Sequence, residues 1–208
     1  MTRRFLQTSL VLLLSLLLTA CATTRPQIPV DTRSVQPGET VTRGGKVVLP
    51  LLGTPLAVGQ KLPSVKLVDS NLKSVDPAGM QGEVLLLSVV PSLDTQVCEQ
   101  QTHLLGEEGP KLPPGVRLVT ISRDLPFAQK RFAEEAGFKD ILFLSDYQKS
   151  DFGQATGLLV DQIYLLARSV ILVDRQGTVR YIQVVPELSH LPDMTTAFAK
   201  AAELAQEK

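Results

Sequence analysis

The sequence predicts an α/β domain in which helices cover both faces of a central mixed sheet. Short runs rich in Val, Leu and Ile alternate with helical patterns across most of the chain. The composition suits a buried core, because 44% of the 208 residues are hydrophobic and 20% are charged. The turn Asp174-Arg175-Gln176-Gly177 joins two apolar strands and closes the pattern with a hairpin.

The elements are predicted in the following order. An N-terminal β-hairpin is expected, with strands Lys46–Pro50 and Pro55–Val58 around a turn at Gly53. Further strands are predicted at residues 65–68, 84–90, 116–122, 141–144, 169–173 and 178–184. The helices are predicted to begin at Asp94 or Thr95, at Asp124, at Ser150 or Asp151, and at Met194.

Residues 1–20 have the features of a secretory signal. Arg3 and Arg4 precede an apolar run from Leu10 to Leu18, which is shorter than the roughly 20 residues of a membrane-spanning helix. The next residues, Leu18-Thr19-Ala20-Cys21, resemble the bacterial lipobox. That resemblance implies that the mature chain begins at a lipidated Cys21 and is tethered to a membrane. The alternative is an ordinary signal peptide cut nearby, which would leave Cys21 free.

Residues 21–45 are predicted to be the lipidated cysteine and a flexible tether, and residues 46–208 the folded domain. The tether segment is polar, contains several prolines and shows no apolar period. Ala22 resembles the sorting residue of outer-membrane lipoproteins in some bacteria. The expected location is therefore the bacterial cell envelope, lipid-anchored on the periplasmic side at the outer membrane.

Charge and cysteine content exclude several function classes. Lys plus Arg and Asp plus Glu both total 21, so nothing suggests a nucleic-acid-binding surface. Two cysteines cannot form a disulfide framework or a cysteine-based metal cluster. His103 and His190 are isolated from each other and from cysteine, so neither a metal nor another cofactor is predicted.

Cys98 is the candidate reactive residue. The strand Val84–Val90 ends at Pro91, which lacks an N–H group for the sheet. Cys98 then falls in the first turn of the following helix, where free N–H groups and the helix dipole favour a thiolate. A lone cysteine after an apolar strand is more often a small buried hydrophobe, so position alone does not establish catalysis.

Several segments resemble one protein family. Pro91-x-x-x-Thr95-x-x-Cys98 resembles the active-site loop of the peroxiredoxins, and Pro91-Ser92-Leu93-Asp94-Thr95-Gln96-Val97-Cys98 is similar to that of their thiol peroxidase subgroup. Further similar segments follow in order: Thr120 to Gln129, Leu144-Ser145-Asp146, Asp151-Phe152-Gly153, and Leu165 to Val170. The resemblance covers about residues 46–205 and implies a thioredoxin-like fold.

The resemblance implies a role for each of four residues. Cys98 would be the peroxidatic nucleophile and become a sulfenic acid. Arg168 would be a fixed cation beside the sulfur, and its alternative is a surface salt-bridge arginine. Thr95 would bond the sulfur and the bound peroxide, with or without capping the helix. Pro91 would shape the loop and shield Cys98 from water, and its alternative role is to stop the strand.

The resolving cysteine of the subgroup is replaced by Ala133, and a lipidated Cys21 could not take its place. We therefore expect a one-cysteine peroxidase that reduces hydroperoxides with an external thiol or a thioredoxin-like reductant. A homodimer is compatible with the resemblance. Two alternatives stay open: a non-enzymatic peroxiredoxin-fold lipoprotein that senses oxidants or binds a partner, and a structural lipoprotein with an inert Cys98.

Overall fold

A computed structural model describes residues 27–207. The domain in these residues is built on a seven-stranded mixed sheet. The strands are β1 (Val30–Asp31), β2 (Thr40–Arg43), β3 (Val47–Leu52), β4 (Leu67–Asp69), β5 (Ser74–Val75), β6 (Val84–Val89), β7 (Val116–Ser122), β8 (Ile141–Ser145), β9 (Leu159–Val160), β10 (Ser169–Val173), β11 (Val179–Val184) and β12 (Leu191–Pro192). The α-helices are α1 (Gln96–Glu108), α2 (Pro126–Ala136), α3 (Asp151–Thr156) and α4 (Met194–Gln206).

The sheet order is β11-β10-β6-β7-β8-β4-β5. Strands β6, β7 and β8 run parallel, and the strands on both sides of them are antiparallel to their neighbours. All six residues of β6 are buried, as expected of a central strand with both faces covered. Its alternate residues enter two apolar clusters, one containing part of α3 and the other parts of α1 and α4. The predicted α/β class with a central mixed sheet is confirmed.

The predicted N-terminal hairpin exists, but it lies earlier in the chain than expected, because the predicted first strand is in fact its second. It is formed by β2 and β3, with Arg43 paired to Val47 across the turn. Gly44 and Gly45 occupy that turn with φ of 63° and 65°, which glycine adopts without a steric cost. Gly53, which the sequence analysis placed in the turn, instead lies where a Cβ would collide with the Gln154 backbone.

The predicted tether is also too long. From residue 27 the chain belongs to the domain, because β1 pairs in parallel with β12 and β2 lies in the hairpin. Asp31 is buried between Arg33, at 2.8 Å, and His190, at 3.5 Å. Hydrogen bonds from Arg33 lower the pKa of Asp31 to about 2. The pairing with β12 and the contact with His190 come from distant parts of the sequence. The segment itself has no apolar periodicity from which they could be predicted. The predicted signal and Cys21 lie outside the described residues.

The main helices begin close to their predicted residues, although the expected caps differ. Helix α1 follows Thr95, whose backbone is extended but whose side chain makes no capping bond. Helix α2 follows Leu125, so the expected cap at Asp124 is wrong. Ser150 precedes α3 in a left-handed conformation without capping it.

No helix within residues 27–207 has the length and apolar character needed to cross a membrane.

A buried carboxylate fastens the hairpin to the rest of the domain. Glu187 accepts hydrogen bonds from Gly44 N at 2.9 Å, Gly45 N at 2.8 Å and Thr42 Oγ1 at 2.8 Å. Ser189 donates two more to the same carboxylate. Burial opposes ionisation of Glu187, but these donors outweigh it and lower its pKa to about 2. The charged form of Glu187 therefore stabilises the folded chain.

We predict that Glu187→Gln lowers the free energy of unfolding at pH 7 by about 2 kcal/mol. The pKa falls from 4.5 to about 2 on folding, so the stabilisation is complete above about pH 4.5 and lost as pH falls towards 2. Chemical denaturation at several pH values measures the difference between wild type and variant. Glu203→Gln, at an exposed position on α4, is the control. A difference that stayed constant from pH 7 to pH 2.5 would contradict this account.

Candidate active site

Strand register brings Arg168 to the end of β6. Ser169 pairs with Val89, so Arg168, one residue earlier, lies beside the point where the chain leaves β6 for Cys98. Residues 91–95, called here the Cys98 loop, lie between Val90, which follows β6, and the start of α1. Two segments separated by about 70 residues in sequence are therefore joined through an antiparallel pair of buried strands.

Arg168 touches the cysteine sulfur directly. Its Nη2 lies 3.3 Å from Cys98 Sγ, within hydrogen-bond range of a sulfur acceptor. Its Nη1 donates to Gln101 Oε1 at 2.9 Å, and its Nε donates to the carbonyl of Leu188 at 3.0 Å. Three separate partners fix the plane of the guanidinium, so the cation is held in one orientation against the sulfur.

Arg168 is a buried cation whose described hydrogen-bond partners include no carboxylate. The residue is 1% exposed, and its described partners are an amide oxygen, a carbonyl oxygen and the sulfur of Cys98. Neither the amide oxygen nor the carbonyl oxygen carries a full negative charge, and burying a cation without an anion costs folding free energy. Of these three partners, only Cys98 can become an anion. The arrangement therefore places the one partner that can carry a full negative charge against the cation.

Cys98 is fully buried in the first turn of α1. It faces the apolar cluster between the sheet, α1 and α4, which also contains Leu93 and Leu105. Thr102 Oγ1 donates to the Cys98 carbonyl at 2.9 Å, one turn further along the helix. The helix start, as predicted from sequence, supplies unpaired N–H groups that stabilise negative charge near the sulfur.

Pro91 and Thr95 lie at the two ends of the Cys98 loop. Pro91 is buried two residues after the end of β6, and Thr95 is exposed directly before α1. The Thr95 hydroxyl donates to the carbonyl of Ser92 at 3.1 Å and so braces the loop instead of capping the helix. The sequence-predicted residues are thus brought to one loop and one buried contact, while the catalytic roles assigned to them stay predictions.

Sequence reasoning missed two residues of the buried contact. Gln101 is fully buried, accepts from Arg168 and donates to Ser88 Oγ on β6 at 2.9 Å. It lies three residues after Cys98, a spacing that places both side chains on one helix face. That spacing was the available signal for Gln101. Ser88, inside an apolar strand, carried no comparable signal.

A cavity of about 390 Å³ opens beside the loop, between the start of α1 and the end of α2. Its lining includes Leu93, Asp94, Thr95, Gln96, Glu99 and Phe132. Cys98 is not part of this lining, in agreement with its complete burial.

Ala133, at the position of the missing resolving cysteine, is half-buried on α2 and packs against the apolar cluster that contains Cys98. Within residues 27–207, no group of three or more His, Cys, Asp or Glu residues could hold a metal ion.

Comparison with known proteins gives a consistent family. The Redoxin family matches residues 57–198. A thiol peroxidase from Halalkalibacterium halodurans is 41% identical over 154 residues, which cover 73% of this chain and 92% of that protein. A thiol peroxidase from Bacillus subtilis is 37% identical over 168 residues, which cover 81% of this chain and 99% of that protein.

Solved structures agree with the sequence comparison. A peroxiredoxin-like protein from Aquifex aeolicus is 33% identical and superposes with a TM-score of 0.76, covering 83% of this chain and 99% of that one. A thiol peroxidase from Chromobacterium violaceum, 22% identical with a TM-score of 0.68, shares the fold. The chain therefore belongs to the redoxin family, within the thiol peroxidase subgroup of the peroxiredoxins, and it is a peroxidase.

Proposed function

We propose that the chain reduces hydrogen peroxide and organic hydroperoxides through a sulfenic acid at Cys98, using an external thiol as reductant. The observation that carries this proposal is the contact between buried Arg168 and Cys98 Sγ. An inert cysteine in an apolar core does not need a buried guanidinium beside it. The curated relatives, which are thiol peroxidases, support the same chemistry.

The oxidation step transfers one oxygen atom. The Cys98 thiolate attacks the nearer oxygen of the hydroperoxide, the O–O bond breaks, and the other oxygen takes a proton and leaves as water or an alcohol. The sulfur then carries a hydroxyl group as sulfenic acid. Arg168 stabilises the thiolate before attack and the negative charge that moves onto the departing oxygen. Thr95 would orient the peroxide through its hydroxyl, and Pro91 would keep water from the sulfur.

We predict that replacing Arg168 slows oxidation of Cys98. Arg168→Ala should lower the second-order rate constant for hydrogen peroxide about 100-fold, the typical loss when one preorganised charge is removed from a reacting centre. Arg168→Lys keeps the charge but cannot keep three partners at once, so an intermediate rate is expected. Rapid mixing of reduced enzyme with peroxide measures these rates.

Arg117→Ala is the matched control for Arg168, because Arg117 is half-exposed and paired with Glu83. Its rate constant should equal that of wild type. An Arg168→Ala protein that folds and reacts as fast as wild type would remove the proposed role.

The proposed cycle uses one cysteine. Cys98 is the only cysteine within residues 27–207, and Ala133 occupies the position of the usual resolving residue. An external thiol, either a small molecule or a thioredoxin-like protein, would therefore attack the sulfenic acid. Pro91, Thr95, Cys98 and Arg168 all come from one chain, so the chemistry does not require the homodimer that the resemblance allows.

We predict that oxidised Cys98 persists until such a thiol arrives. After one equivalent of peroxide, mass spectrometry should find a dimedone adduct on Cys98, and excess peroxide should produce sulfinic acid. Ala133→Cys should instead give an internal disulfide, provided that α2 frays enough for the sulfurs to meet. Ala202→Cys, half-buried on α4, is the control and should keep the dimedone adduct. Wild-type turnover with no added reductant and no adduct would rule out the one-cysteine cycle.

We also propose that the mature chain is anchored through lipid on Cys21, in the cell envelope and at the outer membrane. The lipobox-like segment Leu18-Thr19-Ala20-Cys21 supports this proposal. The ordered domain begins by residue 27, so the chain between Cys21 and Gln27 can span at most about 20 Å. An anchored domain would therefore lie close to the membrane surface.

We predict that the wild-type chain fractionates with membranes and that Cys21→Ser becomes soluble or keeps its signal. Intact-mass measurement should find the acyl groups on wild type alone. Cys98→Ser is the control, because it removes the other thiol and should leave the lipid in place. Recovery of soluble wild type with an unmodified Cys21 thiol would refute the anchoring.

A further inference from the structure

Asp124 uses its carboxylate to hold the Cys98 loop. Its Oδ1 accepts from Ser92 Oγ at 2.7 Å, and its Oδ2 accepts from the backbone N of Leu93 at 2.7 Å. Its Oδ2 also accepts from Ser122 Oγ, at the end of β7, at 2.7 Å. Short hydrogen bonds to a carboxylate are among the stronger ones in proteins.

These bonds are what ties the middle of the loop to the sheet. Just before the loop, Val90 N donates to the Ile121 carbonyl at 3.0 Å. The bonds from Thr95 Oγ1 and Asp94 N both go to Ser92 and so stay within the loop. Among the described hydrogen bonds, those to Asp124 alone connect the loop between these points to another element.

Asp124 is itself held in place. Ser145 donates to its carbonyl, and its own N donates to Ser122 Oγ at 3.3 Å. Gln129 is fully buried and donates to the same Ser122 Oγ at 2.9 Å and to the Leu144 carbonyl at 2.9 Å. The Asp124 carboxylate is therefore held in place by the ends of β7 and β8 and by the start of α2.

The loop held in this way covers the cysteine. Leu93, whose N–H bonds to Asp124, is 5% exposed and belongs to the same apolar cluster as Cys98, which is not exposed at all. We propose that Asp124 is a positioning residue that keeps the Cys98 loop closed, and that breaking its two bonds to the loop admits the external thiol to oxidised Cys98. This inference rests on the proposed peroxidase cycle.

The two halves of that cycle make opposite demands on the loop. A hydroperoxide is small, and its reaction needs Cys98 fixed against Arg168. The reductant thiol must then bring its own sulfur to that of Cys98, forming a mixed disulfide and releasing the sulfenic hydroxyl as water. A second thiol breaks the mixed disulfide, which returns the Cys98 thiol and forms the disulfide of the reductant. A closed loop favours the first half, and an open loop favours the second.

The test compares Asp124→Ala with Asp124→Asn in the mature full-length chain. Two rates are measured on reduced protein: oxidation by hydrogen peroxide, and labelling of Cys98 by the bulky reagent 5,5′-dithiobis(2-nitrobenzoate). For Asp124→Ala we expect oxidation to slow about tenfold or more, because small misplacements of reacting groups are costly. Labelling should accelerate about tenfold, the effect of losing a hydrogen bond to a charged group. General unfolding would also expose the buried thiol, so the circular dichroism spectrum and the unfolding midpoint of Asp124→Ala must match those of wild type for the two shifts to be assigned to the loop.

Asp124→Asn should lie between wild type and Asp124→Ala. Its amide oxygen can still accept from Leu93 N, and its amide nitrogen can donate to Ser92 Oγ, which reverses that bond. Asp140→Ala, at an exposed position shortly after α2, is the matched control and should leave both rates unchanged. If Asp124→Ala does not fold, Ser92→Ala removes one of the two bonds to the loop and should produce the same two shifts to a smaller extent.

The outcomes separate this inference from the proposed function. Wild type that does not react with peroxide would refute the peroxidase cycle. Wild type that reacts normally, together with folded Asp124 and Ser92 variants that keep both wild-type rates, would refute the role of Asp124 alone. Slower oxidation together with slower labelling would also overturn it, because the loop would then not be opening.

Discussion

The contact between the Arg168 guanidinium and Cys98 Sγ is the constraint on which the site depends. A buried cation has to be matched by an anion or by enough fixed dipoles, and here the dipoles come from Gln101 and the Leu188 carbonyl. Gln101 is in turn held by Ser88 on β6. Each of these groups belongs to a different part of the fold. The central sheet, α1 and the segment after β11 must therefore all be in place before Arg168 can be held against the sulfur.

The sheet explains how such a contact can be made reliably. Strands β6 and β10 are buried, and the whole length of β10 pairs with β6, from Leu85 with Val173 to Val89 with Ser169. A slip of one residue would turn every side chain of β10 to the other face of the sheet and would carry Arg168 away from Cys98. The position of Arg168 follows from that register. The pairing of two buried strands thereby determines the geometry of the contact between Arg168 and Cys98.

The sequence was informative where local signals and burial agree. Strand β7 was predicted with its observed bounds, and α1 begins next to a predicted cap residue. Prediction failed where distant contacts decide the structure. The segment around Asp31 is ordered by β12 and by His190, more than 150 residues away, and it has no period of its own. Asp124 was read as a helix cap because that rule is local, but its carboxylate serves a loop about 30 residues earlier. Pairing and hydrogen bonding over such separations cannot be read from one short window.

Burial of the cysteine creates a conflict that the fold has to resolve. Exclusion of water strengthens the effect of Arg168 on the sulfur, because the same charge acts more strongly in a region of low dielectric constant. The same burial closes the sulfur to a large reductant, and in this chain no second cysteine within residues 27–207 can take the oxidising equivalent outwards. In the proposed cycle, access would then come from movement of the segment that covers Cys98. The Cys98 loop suits that role, because it lies between two firmly packed elements and its middle is fastened through one side chain. In the proposed movement, the sulfur would be exposed while β6, α1 and Arg168 keep their places.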